Sequence, residues 1–177
     1  CFELNPNTDV SSINDVIQTN YIIVRDYYAA SIAKINVISM LVNLKLQYMN
    51  DNYIDILDSY INEMSNSIEH TEEEAINSII KIGSCALTAI SLLSSISETQ
   101  IRKEAYELYS KKTSAYNDVW YVRGMEGICV DINRKIARIN SILSNESNCC
   151  DGETLIDTFM DTLIFSSFLL VGAKFFK

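Results

Sequence analysis

The chain is poor in the two residues that most often interrupt helices, with one proline (Pro6) and five glycines in 177 residues. A sandwich or barrel of short strands needs a turn signal every ~8–12 residues, so this scarcity argues against an all-β fold. Histidine is nearly absent as well, His70 being the single one. That excludes a His-x-x-x-His zinc motif and the Glu-x-x-His pattern of di-iron helical proteins. A glycine-rich phosphate loop, a nucleophile elbow and a Cys-x-x-Cys motif are missing too. Positive charge is in deficit: 14 Lys and Arg stand against 23 Asp and Glu, a net charge of −9 with a pI near 4.6. Nucleic acid, which demands a basic face, is therefore excluded as a partner. With so few sources of acid–base chemistry near neutral pH, the expectation is a non-enzyme with no catalytic residue, metal or cofactor.

Hydrophobic residues are plentiful, at 48% of the chain, so it is expected to fold as one domain over 1–177. Residues 1–10 contain Pro6 and read as an extended lead-in. Apolar residues then recur every seven positions. The first line runs through Tyr21, Tyr28, Ile35, Val42 and Met49, and Asn50-Asp51-Asn52 follows as a turn. The second runs from Ile54 through Ile68, Ala75, Ile82 and Ala89 to Ile96, with a capping-box pattern at Thr71-Glu72-Glu73-Glu74 inside it. A further box, Ser97-Glu98-Thr99-Gln100, opens the third line: Ile101, Leu108, Ala115, Val122, Cys129, Ile136 and Leu143. Gly124 and Gly127 interrupt that line and mark a kink. Residues 144–152 are turn-like, and a short apolar helix is expected over 153–176. These patterns predict an all-α antiparallel bundle of four long helices, or of five or six if the chain breaks near Thr71 and Gly124.

Five cysteines, with Cys149 and Cys150 adjacent, fit an oxidising compartment. The first residue is Cys1, which is expected to follow a removed signal peptide, so the sequence reads as a secreted protein with disulfides among Cys1, Cys85, Cys149 and Cys150. A lipidated Cys1 is the alternative. Asn145-Glu146-Ser147 is a glycosylation sequon at Asn145, a pattern also expected by chance in so Asn- and Ser-rich a chain. If the third helix runs straight from Ser97, Cys85 lies opposite about residue 111 and Cys129 lies ~27 Å further along, out of disulfide reach. Cys129 itself falls on the buried line and reads as structural.

Chemistry-bearing residues have ordinary structural roles available. His70 sits beside Glu69 and Glu72 in a charged turn, and Glu72-Glu73-Glu74 suits a helix N-terminus. Asp157 and Asp161 form an acidic face on the last helix. With a straight third helix, the last helix reaches only to the level of Arg123, leaving a three-helix end around residues 75–97. There the large Tyr21, Tyr28, Tyr109, Tyr116 and Trp120 face the small Ala86 and Ala89, which makes these seven the expected ligand-binding set. The expected partner is an apolar, lipid-like small molecule or another protein. Two other readings remain open: a membrane-active protein inserting its apolar C-terminal helix, and a recognition protein acting as a homodimer.

Overall fold

The computed structural model describes the backbone of residues 9–47, 55, 58, 59, 62, 63, 69–144 and 151–175, and within these the side chains of all but 33–47, 151–154 and 174–175. It is all-helical, with no strand among the described residues. The helices are α1 (Ser11–Gln47), α2 (Glu72–Ser94), α3 (Glu98–Tyr116), α4 (Val119–Ser144) and α5 (Asp151–Phe175). The second hydrophobic line does break at Thr71. Thr71 Oγ1 accepts from the Glu74 N–H at 3.2 Å, and Glu74 Oε2 accepts from the Thr71 N–H at 2.6 Å. Two helix-end donors are thereby satisfied, and such a cap contributes about 1 kcal/mol. At Ser97 only half of the expected box forms: Ser97 Oγ accepts from the Gln100 N–H, while the Gln100 side chain turns forward to Glu104.

The third line departs most from expectation. Its main interruption lies at Asn117-Asp118, before either glycine. Asn117 has φ 58°, its N–H closes on the Thr113 carbonyl at 2.8 Å, and a new helix starts at Val119. With ψ −173° Asn117 lies outside the helical regions, in a strained conformation that side chains rarely enter, and this ends α3. Gly124 adds the kink the sequence suggested, at φ 69° and ψ 179°, whereas Gly127 stays helical. The break lifts the middle of the line out of the core: Ala115 is exposed and Val122 is 83% exposed, while Ile101, Cys129 and Ile136 remain buried.

α1 packs on α2 and α4, and α5 packs on the same two helices, so the four close a ring; α3 touches α2 and α5 only lightly. Named contacts give the directions. Asn14 bonds Asn140, while Tyr28 shares a cavity wall with Met125, so α1 and α4 are antiparallel. Lys135 pairs with Asp161 and Met125 lies on Gly172, which makes α4 and α5 antiparallel. α5 runs antiparallel to α2 as well, with Gly83 against Ser166 and Ala75 near Gly172. Three reversals around the ring leave α1 antiparallel to α2. The three-helix end is therefore corrected: with α4 folded back, α5 covers α2 along much of the 75–97 segment.

One core contains residues of all five helices, among them Ile17, Ile82, Ile90, Ile101, Ile132 and Phe159. Burying a side chain of this size contributes roughly 1.5–3 kcal/mol before the opposing entropy. Buried hydroxyls are satisfied within their own helices: Thr162 donates to the Thr158 carbonyl and Ser94 to the Ile90 carbonyl. They therefore enter the core without stranded donors.

Candidate ligand-binding site

Because α3 departs from the ring, its inner face does not close onto α2 and α5. Between the three helices lies an open groove of about 580 Å³, inside the ~300–1,000 Å³ span of small-ligand pockets. Ile79, Gly83 and Leu87 of α2 form one wall, Leu163 and Phe168 of α5 another, and Ala105 and Tyr109 of α3 the third. Gly83 keeps α2 close to α5, since a Cβ there would stand 2.8 Å from Ser166 Oγ. Arg102 is the only charged residue lining the groove among the described residues. α3 borders this space while burying a single residue, Ile101.

Trp120 borders one end of the groove. Its indole stacks on Phe168 with centroids 4.7 Å apart and planes 5° from parallel. Tyr109 meets the same Phe168 edge-on at 5.6 Å. Asp118, in the turn between α3 and α4, holds both aromatic donors: its Oδ1 accepts from the Tyr109 hydroxyl at 2.8 Å and from Trp120 Nε1 at 3.1 Å. The bond to Asp118 also raises the Tyr109 pKa, because removing the phenol proton would set an anion against a carboxylate.

A second cavity, of about 380 Å³, adjoins Trp120 on α4. Arg123, Arg134, Lys135 and Arg138 line it together with Asp131 and Phe165. Arg123 folds back over Gly127 to reach the largely buried Asp131, its Nη1 donating to Oδ2 at 2.5 Å and its Nη2 to Oδ1 at 3.3 Å. A Cβ on residue 127 would crowd the Arg123 Cβ at 2.9 Å, so the glycine leaves room for that path. Lys135 donates to Asp161 at 2.6 Å, and Lys112 of α3 donates to the other oxygen of the same carboxylate at 3.1 Å.

The seven residues expected to form one cleft are distributed over four places. Tyr109 and Trp120 line the groove. Tyr21, Ala86 and Ala89 are buried in the core. Tyr28 borders a separate cavity near Gly124 and Gly172, and Tyr116 is 73% exposed at the end of α3. The single cleft between the first three long helices is thus corrected: the straight third helix that would have aligned those residues is divided at Asn117. Phe165, Phe168 and the α4 cations were not anticipated. The concentration of four of the 14 basic residues between Arg123 and Arg138 was the available signal.

Cys85 and Cys129 are free thiols, so the disulfide expected at Cys85 is corrected: its half-buried Sγ has no cysteine partner among the described residues. Burial pushes the Cys129 thiol up to about 12, with Glu126 nearby adding to the shift, and burial raises Cys85 as well. Cys1, Cys149, Cys150 and the Asn145 sequon lie outside the described residues. At the α1–α2 side, Asp26, Glu69 and His70 bring three potential ligand atoms within 4.8 Å of one another on a largely open surface. No family model, curated protein or solved structure matches the chain.

Proposed function

We propose that this protein is a secreted, non-enzymatic antiparallel helical bundle that binds an apolar small molecule in the groove beneath α3. The observation that carries the reading is the groove itself: an open, mainly apolar space bounded by a helix with little other burial. An ordinary core element would close such a gap, because interiors pack to high density. A guest between α3 and the α2–α5 face would supply the apolar surface that α3 otherwise lacks. With Cys85 free, the secreted assignment leaves disulfides to be formed among the other expected cysteines, Cys1, Cys149 and Cys150, checked by the mass of the unreduced protein before and after alkylation.

Titration with an environment-sensitive apolar dye tests the reading. Saturable binding is expected, and Ala105→Trp, which fills the groove from α3, lowers dye affinity at least tenfold while leaving the helical circular dichroism unchanged. Unchanged affinity in that variant would overturn the location, and no dye binding to the wild type would overturn the function.

A second reading rests on a specific observation. α2, and α5 over residues 155–173, are each long and apolar enough to cross a bilayer, and they pack directly on each other. Membrane insertion of this pair predicts leakage from zwitterionic vesicles, which do not repel a chain of net charge −9, that is abolished by an engineered disulfide between α2 and α1. Absence of leakage by the wild type eliminates it.

A further inference from the structure

We infer that the guest of the groove is an anionic amphiphile with a single apolar tail, a long-chain carboxylate, whose headgroup sits among Arg123, Arg134, Lys135 and Arg138. This rests on the proposed groove-binding function and names the chemical class of ligand for it.

Continuity is the first argument. Trp120 lines both the apolar groove and the cationic cavity, so one side chain is a wall common to the two spaces. Phe165 of the cationic cavity also contacts Phe168 of the groove, with centroids 6.1 Å apart. A molecule lying past the indole has its tail against α2, α3 and α5 and its head against α4.

Charge is the second. Asp131 and Asp161 are surrounded by five cations: Arg123, Arg134, Lys135, Arg138 and Lys112. Counting Asp157, one turn before Asp161, and Asp118, bonded to Trp120, still leaves five cations against four carboxylates. Arg138 makes no ion pair among the described residues, and Arg134 stands 3.8 Å from Asp131 with its side chain 78% exposed. Both guanidiniums retain donors, in a geometry that matches a carboxylate fork. This local excess occurs in a chain of net charge −9. Among the described residues the groove lining holds one charge, the cation Arg102. The carboxylate beside that end, Asp118, is engaged by the Tyr109 hydroxyl and the Trp120 indole N–H. A cationic guest would forgo every favourable pair and face the excess positive charge.

Competition against the bound apolar dye at low salt tests this with three probes sharing one tail: dodecanoate, dodecanol and dodecyltrimethylammonium. The expected order is dodecanoate at least tenfold tighter than dodecanol, with the ammonium weakest. In the Arg134→Gln/Arg138→Gln variant the preference for dodecanoate over dodecanol falls to within about twofold. Dye and dodecanol affinities stay at wild-type values there, which shows that the fold and groove are intact. Equal binding of the acid and the alcohol to the wild type overturns the inference while leaving the groove reading in place. So does a preference that survives in the double variant and disappears in Arg102→Gln, since it would locate the headgroup on α3. Failure of the dye itself to bind wild type defeats the groove reading, and this inference with it.

Discussion

Met125 of α4 lies directly across Gly172 of α5. A Cβ placed on Gly172 would come 2.0 Å from Met125 Cε and 2.3 Å from its Sδ. The two helices meet there without room for one further carbon, although methionine is flexible enough to give way in part. Gly172→Ala is expected to destabilise the protein by about 1–3 kcal/mol through overpacking. In a Met125→Ala background the same substitution should cost far less. Denaturant midpoints of the four proteins in the cycle measure the coupling, and strictly additive effects would refute the contact.

Gly124 presents the opposite case. A Cβ there would have nothing within 4 Å, so space is not the constraint. Its backbone is: φ 69° with ψ 179° belongs to a region that side chains rarely enter. Gly124→Ala should cost roughly 1–3 kcal/mol from backbone strain alone. The loss should be the same with Met125 present or truncated, in contrast to Gly172→Ala.

Cys129 makes alkaline stability sensitive to one thiol. Its folded pKa is raised by burial from 9.0 to about 12. Below pH 9 both folded and unfolded chains carry the proton, and the folded state keeps its full advantage. As pH rises toward 12 the unfolded thiol ionises while the folded one holds its proton, so stability falls, by up to about 1.4 kcal/mol per pH unit. Tyr21 and Tyr28, also raised by burial, act in the same direction above pH 10. Urea midpoints at pH 8 and 10.5 should separate further for the wild type than for Cys129→Ala. Equal separation in the two proteins would count against burial of an ionisable thiol.

Acid affects a different place. Glu74 has its pKa lowered mainly by the bond from the Thr71 backbone N–H. The cap's contribution is present above the ordinary carboxylate range and is lost as pH falls through the lowered folded value. Carboxyl resonances followed by NMR should show Glu74 titrating below the ordinary carboxylate range. In Thr71→Pro, which removes the donor, Glu74 should return to the ordinary range; a midpoint unmoved by that change would discard the assignment.

Asp161 ties α3 to the ring. Its carboxylate takes Lys112 of α3 and Lys135 of α4 together, with the Lys112 side chain half exposed. Removing the α3 link should cost only ~0.2–1 kcal/mol globally, because so exposed a pair is screened by solvent. Local effects should be larger. Lys112→Ala is expected to accelerate amide hydrogen exchange across 98–116 severalfold with little change across 119–144. Uniform exchange changes in both segments would mean that α3 is no separate unit.

The helices themselves were legible from residue order. Seven-residue spacing outlines α1, and the cap patterns at Thr71 and Ser97 place the starts of α2 and α3. Thr71 was legible because its cap is written locally, in a box of four residues. Asn117 was not: the heptad line passes straight through it at Ala115 and Val122, and periodicity records which face is apolar without recording whether that face meets a partner. A short Asn-Asp pair carried the only local signal, and the apolar spacing on either side masked it.

The misplaced break explains the misplaced site. Of the seven expected residues Tyr109 and Trp120 line the groove, but their wall on α5, Phe168, comes from a segment some 50 residues away. No spacing rule connects those positions. The cationic cavity was missed for the same reason, since its charge excess exists only once α4 turns Arg123, Arg134 and Arg138 toward Phe165.

Sequence by itself determined that this chain forms helices, where two of them are capped, and which face of each prefers to be dry, because those properties depend on neighbours within one or two turns. Tertiary structure decided that α3 leaves the ring, that α4 takes its place against α1 and α5, and that an apolar groove ends beside a group of arginines. Those outcomes depend on how distant surfaces share a limited core, a competition settled only when all the helices pack together.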